Sequence, residues 1–292
     1  MEQVKFAVIG GDLRQVKLAT LLAADGHVVS AFAIDQARPE GATLAASLKA
    51  AVKGADCVLL PLPLTRSCNA LNTPLSDTVL TTDEVFSALN PNQTICGGRV
   101  EEAAHQTAAE HGLTLLDYFT REELVIANAV ATAEGAIQVA MESTATILLG
   151  SRALVLGFGR IGKVLAHRLR ALGVHVTVSA RKYADLAWIK AYGYEAIHSD
   201  QLDENLNRYE ILFNTIPYQV LDAERLGKLD SNTLCIDLAS KPGGVDFAAA
   251  AALGLKTVWA LGLPGEVAPL TAAAIIRDTI YNILSEQEFS NI

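Results

Sequence analysis

VLGFGRIGKVLAHRLRALGVHVTVSARK, residues 155–182, decides the fold. An apolar strand runs into Gly157-Phe158-Gly159-Arg160-Ile161-Gly162. A helix follows whose Ile161, Val164, Leu165, Leu169 and Leu172 share one face, and then a second apolar strand, VHVTVSA at 174–180. Glycines spaced G-x-G-x-x-G between a strand and a helix form a dinucleotide fingerprint. The first permits the tight turn, the second lets backbone approach a pyrophosphate, and the third lets helix and strand pack closely. The helix N-terminus attracts the phosphates. The plainer reading is a glycine turn without a ligand, but the strand before it and the helix after it favour the fingerprint.

The second strand ends in Ser179-Ala180-Arg181-Lys182. Dinucleotide sites that take an unphosphorylated ribose usually place Asp or Glu there to accept hydrogen bonds from its hydroxyls. A guanidinium instead grips a 2′-phosphate, which an acid would repel. NADP(H) is therefore expected over NAD(H), with Ser179, Arg181 and Lys182 at the adenosine ribose. Arg181 as an exposed loop cation and Asp185 as a displaced acid are the competing readings.

Outward from this stretch, strand and helix alternate in both directions. Before it come strands at 5–11, 27–34, 55–63, 93–98 and 114–119, with helices near 14–24, 83–89 and 100–111. After it come strands at 195–199, 210–216, 233–239 and 256–261. Such alternation argues for parallel sheets covered by helices on both faces. A long helical pattern at 121–149, interrupted near Gly135, separates the two series. The fold class is thus α/β, two doubly wound, Rossmann-like parallel-sheet domains with an interdomain cleft. We expect a substrate-binding domain at 1–125, a hinge helix at 126–150, the dinucleotide domain at 151–268, and a last helix at 269–292 crossing back. The chain's 292 residues are enough for two cores.

A net charge of −9 without a basic block argues against a nucleic-acid surface. Cys57, Cys68, Cys96 and Cys235 are isolated from one another, without a CxxC pair, so buried reduced thiols are expected and no metal site. The N-terminus runs directly into a strand, and no uninterrupted apolar run reaches roughly 18 residues, so no membrane span and a cytoplasmic location are expected.

In doubly wound sheets ligands meet the carboxyl ends of strands. In the second domain those ends are Asn214-Thr215-Ile216-Pro217, Asp237-Leu238 with the following Ser240-Lys241-Pro242-Gly243-Gly244, and Gly262-Leu263-Pro264-Gly265. We assign Asn214, Thr215, Ile216, Pro217, Asp237, Leu238, Leu263 and Pro264 to the cofactor, beside Gly157, Phe158, Gly159, Arg160, Ile161 and Gly162. In the first domain, Gly10-Gly11-Asp12-Leu13-Arg14 and Gly97-Gly98-Arg99 end strands. Gly11, Arg14, Thr65 and Arg99, with Lys241, are the candidates for an anionic small substrate. Arg14 as a plain helix-start cation is the alternative. The catalytic group is open, with Arg14, Glu134 and Lys241 as candidates. Glu134 as a helix-capping residue is equally consistent with its place beside Gly135. The scattered histidines offer no base.

These motifs resemble the dipicolinate synthase A-chain family of spore-forming bacteria through nearly the whole chain. The carriers are GGDLRQ (10–15), NAVATAEGAI (128–137), VLGFGRIG (155–162), NTIP (214–217), DLASKPGGVDF (237–247) and GLPGEVAP (262–269). The chain departs from the family pattern at Asn128–Thr132, at Leu270 and Ala273, and at Gly97–Arg99. The resemblance implies NADP-linked oxidation of the dihydrodipicolinate-pathway intermediate to dipicolinic acid during sporulation. It also implies partnership with a flavoprotein-like B subunit, in the mother-cell cytoplasm; a homo-oligomer is expected besides. A substrate with two carboxylates needs cationic anchors, and Arg14, Lys241 and Arg99 are the candidates. The alternatives are an NADP-dependent dehydrogenase of another small carboxylic acid, of hydroxyacid or shikimate type, and a non-catalytic NADPH-binding subunit.

Overall fold

A computed structural model describes residues 2–67, 69–204 and 206–290. The chain divides into two compact units. One is the chain up to Asn128 together with the chain from Ala268 onward, and the other is Ala129–Val267.

The first unit begins with β1 (Lys5–Ile9), α1 (Leu13–Ala24), β2 (Val28–Phe32), β3 (Thr43–Leu44), α2 (Leu48–Val52) and β4 (Cys57–Leu59). A hairpin of β5 (Thr65–Ser67) and β6 (Ala70–Leu71) follows, then α3 (Thr82–Ser87), β7 (Thr94–Gly97), α4 (Glu102–Glu110) and β8 (Leu115–Asp117). The sheet order is β3-β2-β1-β4-β7-β8, parallel throughout. The apolar runs were legible as strands because both faces of this sheet are covered. The two-residue edge strand β3 escaped that pattern, as did the hairpin after Pro63, because an edge strand and a short antiparallel pair need no continuous apolar run.

Helix α5 (Glu122–Ser143) leads from one unit into the other. It continues through Gly135 without the expected interruption and stops at Ser143, short of 149. Glycine is needed there for a different reason: a Cβ would stand 3.1 Å from the Leu263 Cβ and 3.2 Å from a Val267 methyl. With 22 residues, α5 is long and apolar enough by length and composition to cross a membrane, although Glu134 interrupts its apolar run. Its Ala133, Ala136 and Ala140 are fully buried in the second unit's core.

The second unit contains β9 (Arg152–Leu156), α6 (Arg160–Ala171), β10 (His175–Ala180), α7 (Tyr183–Ala191), β11 (Glu195–His198) and β12 (Ile211–Asn214). It ends with α8 (Ala223–Leu226), β13 (Leu234–Asp237), α9 (Phe247–Ala252), β14 (Lys256–Trp259) and α10 (Leu263–Val267). Its order, β11-β10-β9-β12-β13-β14, is again wholly parallel. Both sheets have the order 3-2-1-4-5-6, so each has a switch point between its first and fourth strands. On α6, Leu165 and Leu169 are buried as the helical period requires, but Leu172 follows the helix end and is 45% exposed.

The last helix, α11 (Pro269–Ser290), belongs to the first unit, where Ala273, Ile276, Ile280 and Ile283 join a core with Leu18 and Leu22 of α1. Cys57 and Cys96, far apart in sequence, meet across β4 and β7. Their hydrogen bond, with burial, pushes the Cys57 thiol far above its ordinary range. Cys235 is pushed up to about 12 by burial alone, so it is an inert thiol. Cys68 lies outside the described residues. Among the described residues no metal-ligating cluster exists.

Candidate dinucleotide site and strand-end turns

Helix α6 starts without a side-chain cap: Gly159 occupies the N-cap position and has nothing to offer. No cap side chain therefore covers its first turn, at the positive end of the helix dipole. The glycines make the tight turn before it possible. Gly157 has φ +97°, and a Cβ there would stand 2.5 Å from Thr215 Oγ1. A Cβ on Gly162 would collide with the Gly157 carbonyl oxygen. Phe158 is buried in the core while also lining the cleft beside the turn, and Ile161 packs against that core.

A cleft of about 640 Å³ opens beside this turn, lined by Gly157, Gly159, Arg181, Lys182, Ile216 and Tyr218, among others. It joins the turn to the end of β10 in a single hollow, which fits an extended dinucleotide. Arg181 and Lys182 are exposed on its wall, while Ser179 is fully buried with its hydroxyl 3.4 Å from that of Ser199. The end of β10 itself carries no acid, as the sequence indicated. The neighbouring residues do: Asp185 and Asp200 line the same cleft. Arg225 also lines it but is engaged with Asp203 and with the Val220 carbonyl at 2.9 Å. His198, Ser199, Asp200, Tyr218 and Arg225 were not singled out from sequence. His198 ends β11, so the strand-end rule alone would have drawn attention to it and to the two residues that follow.

Asn214 and Asp237 turn out to be scaffold. Both are fully buried. Asn214 donates to Asp237 Oδ1 at 2.8 Å and to the Ile216 carbonyl at 2.9 Å, and its own oxygen accepts from the Ile216 N–H. Asp237 also accepts from the backbone N–H of Ala239, Gly244 and Val245 at 3.0, 2.7 and 3.2 Å. Its carboxylate is thus saturated inside the protein and has no free acceptor for a cofactor; it fixes the 238–245 turn. Leu238 and Leu263 are core side chains, because the apolar period continues past the strand end into the packing against α5. Pro264 lies within the first turn of α10, and Pro217 is exposed just beyond Thr215, whose hydroxyl donates to the Leu156 carbonyl at 2.8 Å.

In the first unit, the turn after β1 is closed by the protein's own carboxylate. Asp12 caps α1, accepting from the Arg14 N–H at 2.9 Å. It also takes the Arg14 side chain, with Nε at 3.0 Å and Nη2 at 2.7 Å. Nη2 donates in addition to the Leu62 carbonyl. This occupies the Nε–Nη2 edge of the guanidinium and leaves the Nη1 donors for another acceptor. Gln15 and Tyr118, both buried, donate to the same Leu60 carbonyl at 2.9 and 3.1 Å. Burial raises the Tyr118 hydroxyl well above the ordinary tyrosine range, so it stays a neutral donor. The buried Gly11 gives its N–H to the Asn72 carbonyl at 2.8 Å. Thr65 is half-buried on β5. Arg99 is exposed in the left-handed region at φ 53°, held by its N–H to Asp117 Oδ1 at 3.0 Å.

The two remaining candidates belong to the second unit. Lys241 is exposed on the turn that Asp237 holds. Glu134 is drawn away from the glycine turn: it pairs with Arg168 at 3.1 Å in an apolar groove of about 670 Å³ between α5 and α6. That groove is as large as the cleft but shares no lining residue with it.

Comparison with known proteins matches two stretches of the chain. Residues 5–119 match the family described as the N-terminal domain of the dipicolinate synthase A chain, and residues 115–253 match the D-isomer specific 2-hydroxyacid dehydrogenase NAD binding domain. The dipicolinate synthase A chain of Bacillus subtilis is 33% identical over 287 residues, spanning 97% of this chain and 96% of that protein. The crystal structure of its counterpart from Bacillus halodurans superposes with a TM-score of 0.88 at 33% identity, covering 96% of this chain and 97% of that one. A transhydrogenase from Sinorhizobium meliloti, at 17% identity and TM-score 0.73, covers 96% of this chain and 93% of its own and shares the fold. The second unit is therefore a nicotinamide-nucleotide domain of dehydrogenase type.

Proposed function

The chain belongs to the dipicolinate synthase A-chain family, and from that premise we propose that it oxidises the dihydrodipicolinate-pathway intermediate to pyridine-2,6-dicarboxylate with NADP⁺. The observation that carries this reading is the uncapped N-terminus of α6, opening on a cleft whose β10 end bears Arg181 and Lys182 and no acid. The oxidised nicotinamide, when bound, accepts a hydride, and loss of that hydride and a proton makes the substrate ring aromatic.

The chain's residues bind and align. The uncapped N-terminus of α6 would hold the pyrophosphate, and Arg181 and Lys182 would hold the 2′-phosphate. Asn214 and Asp237 keep the turns at the ends of β12 and β13 in place. The first unit supplies the carboxylate anchor: Asp12 fixes the Arg14 guanidinium, so its free Nη1 edge meets a carboxylate without first losing rotamer freedom. Lys241 and Arg99 are the candidates for the second carboxylate. Alignment of carbon and nicotinamide supplies most of the rate in a step driven by aromaticity. Partnership with a B subunit, self-association, and the mother-cell cytoplasm as location are part of the same proposal.

The test is titration of the purified chain with NADPH and NADH, then addition of freshly generated intermediate with NADP⁺ while ultraviolet absorbance follows the pyridine ring. NADPH preference with ring formation supports the proposal. Nucleotide binding without ring formation, even with the B subunit present, overturns the catalytic assignment in favour of a nucleotide-binding role.

A further inference from the structure

We infer that His198 is a positioning residue for cofactor choice: its ring pins the loop carrying Arg181 and Lys182 against the end of β11. The inference deepens the 2′-phosphate reading of the same cleft and rests on it.

Strand β11 lies beside β10, with His198 opposite Ala180, the last residue before the loop. Lys182 holds the N-cap position of α7 without a side-chain capping bond to fix the loop there. His198 supplies what is missing. Its Nε2 lies 3.0 Å from the Arg181 carbonyl oxygen, and the Asp200 backbone N–H points at its Nδ1 over 3.3 Å. Nε2 donates to that carbonyl, while Nδ1 faces Asp200 twice, its backbone N–H and, at 3.5 Å, its carboxylate Oδ2. Tyr183, the first residue of α7, stacks on the imidazole at 5.3 Å and 25°. The ring is 17% exposed, so it is held on its face as well as at both nitrogens.

The pinning matters because the cleft is electrostatically mixed. Arg181 and Lys182 share its wall with Asp185 and Asp200, and the Asp200 side chain is 86% exposed. A carboxylate accepts hydrogen bonds from an unphosphorylated ribose and repels a 2′-phosphate. Discrimination therefore depends on how far the cations stand from the acids. His198 sets that spacing, holding the Arg181 carbonyl with one nitrogen and the Asp200 amide with the other. Without the ring, the cationic loop must be ordered by the phosphate itself, and affinity for the phosphorylated nucleotide falls. NADH has no 2′-phosphate for Arg181 and Lys182 to hold, so the ratio of the two affinities reports the loop and sets aside a general loss of stability.

The experiment measures NADPH and NADH dissociation constants for the full chain and for H198A, H198Q and R181A, with a thermal melt of each. In H198Q the carboxamide nitrogen takes the place of Nε2 and can donate to the Arg181 carbonyl. We expect H198A to weaken NADPH about tenfold, the scale of one lost charge-assisted contact, with NADH within about twofold. H198Q should recover most of the preference, and R181A should lose it. Equal weakening of both nucleotides in H198A, or H198Q behaving like H198A, overturns the inference. If R181A loses the preference while H198A keeps it, the 2′-phosphate reading stands and His198 alone falls. A wild-type chain that does not prefer NADPH overturns both. Should H198A fail to fold, H198Q against H198N decides, because the shorter amide cannot reach the Arg181 carbonyl.

Discussion

The two units present the same six-strand order and the same turn between first strand and first helix, yet the two turns are finished in opposite ways. In the first unit the helix N-terminus is filled from within: Asp12 caps α1 and binds the Arg14 side chain. In the second, Gly159 leaves α6 uncapped. One helix turns its dipole on the chain's own carboxylate, and the other has no side-chain cap, as the proposed phosphate site requires. Topology places both turns at a switch point; one or two residues decide what each can bind.

A similar contrast appears where a carboxylate ties a later turn. Asp237 at the end of β13 is fully buried with four bonds, while Asp117 at the end of β8 is half-buried and takes the N–H groups of Arg99, Val100 and Phe119. Exchange for Asn puts an amide donor against those donors. D237N should cost about 3 kcal/mol and D117N about 1 kcal/mol, read as urea midpoints. Equal losses would break the claim that burial separates the two turns.

The open and capped helix ends are separated next. G162A forces a Cβ onto the Gly157 carbonyl oxygen, and nucleotide affinity should fall about 100-fold by fluorescence titration. Retained binding would show that the phosphates sit elsewhere. R181A should weaken NADPH about tenfold or more with NADH unchanged, and equal weakening would remove the 2′-phosphate from this cleft. R14A tests the other unit: the KM for the dicarboxylate should rise about tenfold with NADPH affinity intact, and unchanged kinetics would leave Arg14 as the partner of Asp12 alone.

The smallest effect concerns acid. His27 in the first unit accepts the Val4 N–H at Nδ1 (3.2 Å) between the rings of Phe6 and Tyr281, and burial holds it below its ordinary value. The unfolded chain therefore takes the proton first as pH falls. This stability is fully present above the ordinary value of 6.5 and is lost below it. The melting temperature should decline below about pH 6.5, and H27Q should flatten the decline. An unchanged slope in H27Q would assign the acid sensitivity to other groups.

Much of this was legible beforehand. The strands at 5–9, 57–59, 153–156 and 211–214 show as apolar runs because covered parallel strands are buried on both faces. Gly157 and Gly162 declare themselves because a tight turn and a close helix contact each exclude a side chain, whereas a Cβ on Gly159 would meet open space. Glu134 and Asp237 were misleading for one reason. A carboxylate near a turn looks alike in sequence whether it faces a ligand, a cation or backbone N–H groups. Arg168 claims the first, and Asn214 with the 239–245 backbone claims the second.

The sequence by itself determined the two doubly wound units, the place of the dinucleotide turn and the absence of an acid at the end of β10. These depend on local period and on glycine sterics, which act between near neighbours. Only the tertiary structure decided that Asp185 and Asp200 share the cleft with Arg181, and that Asn214 and Asp237 are scaffold. It alone placed His198 between the cationic loop and Asp200. Such pairings form across strands that are adjacent in space and separated in sequence, and a local pattern carries no record of them.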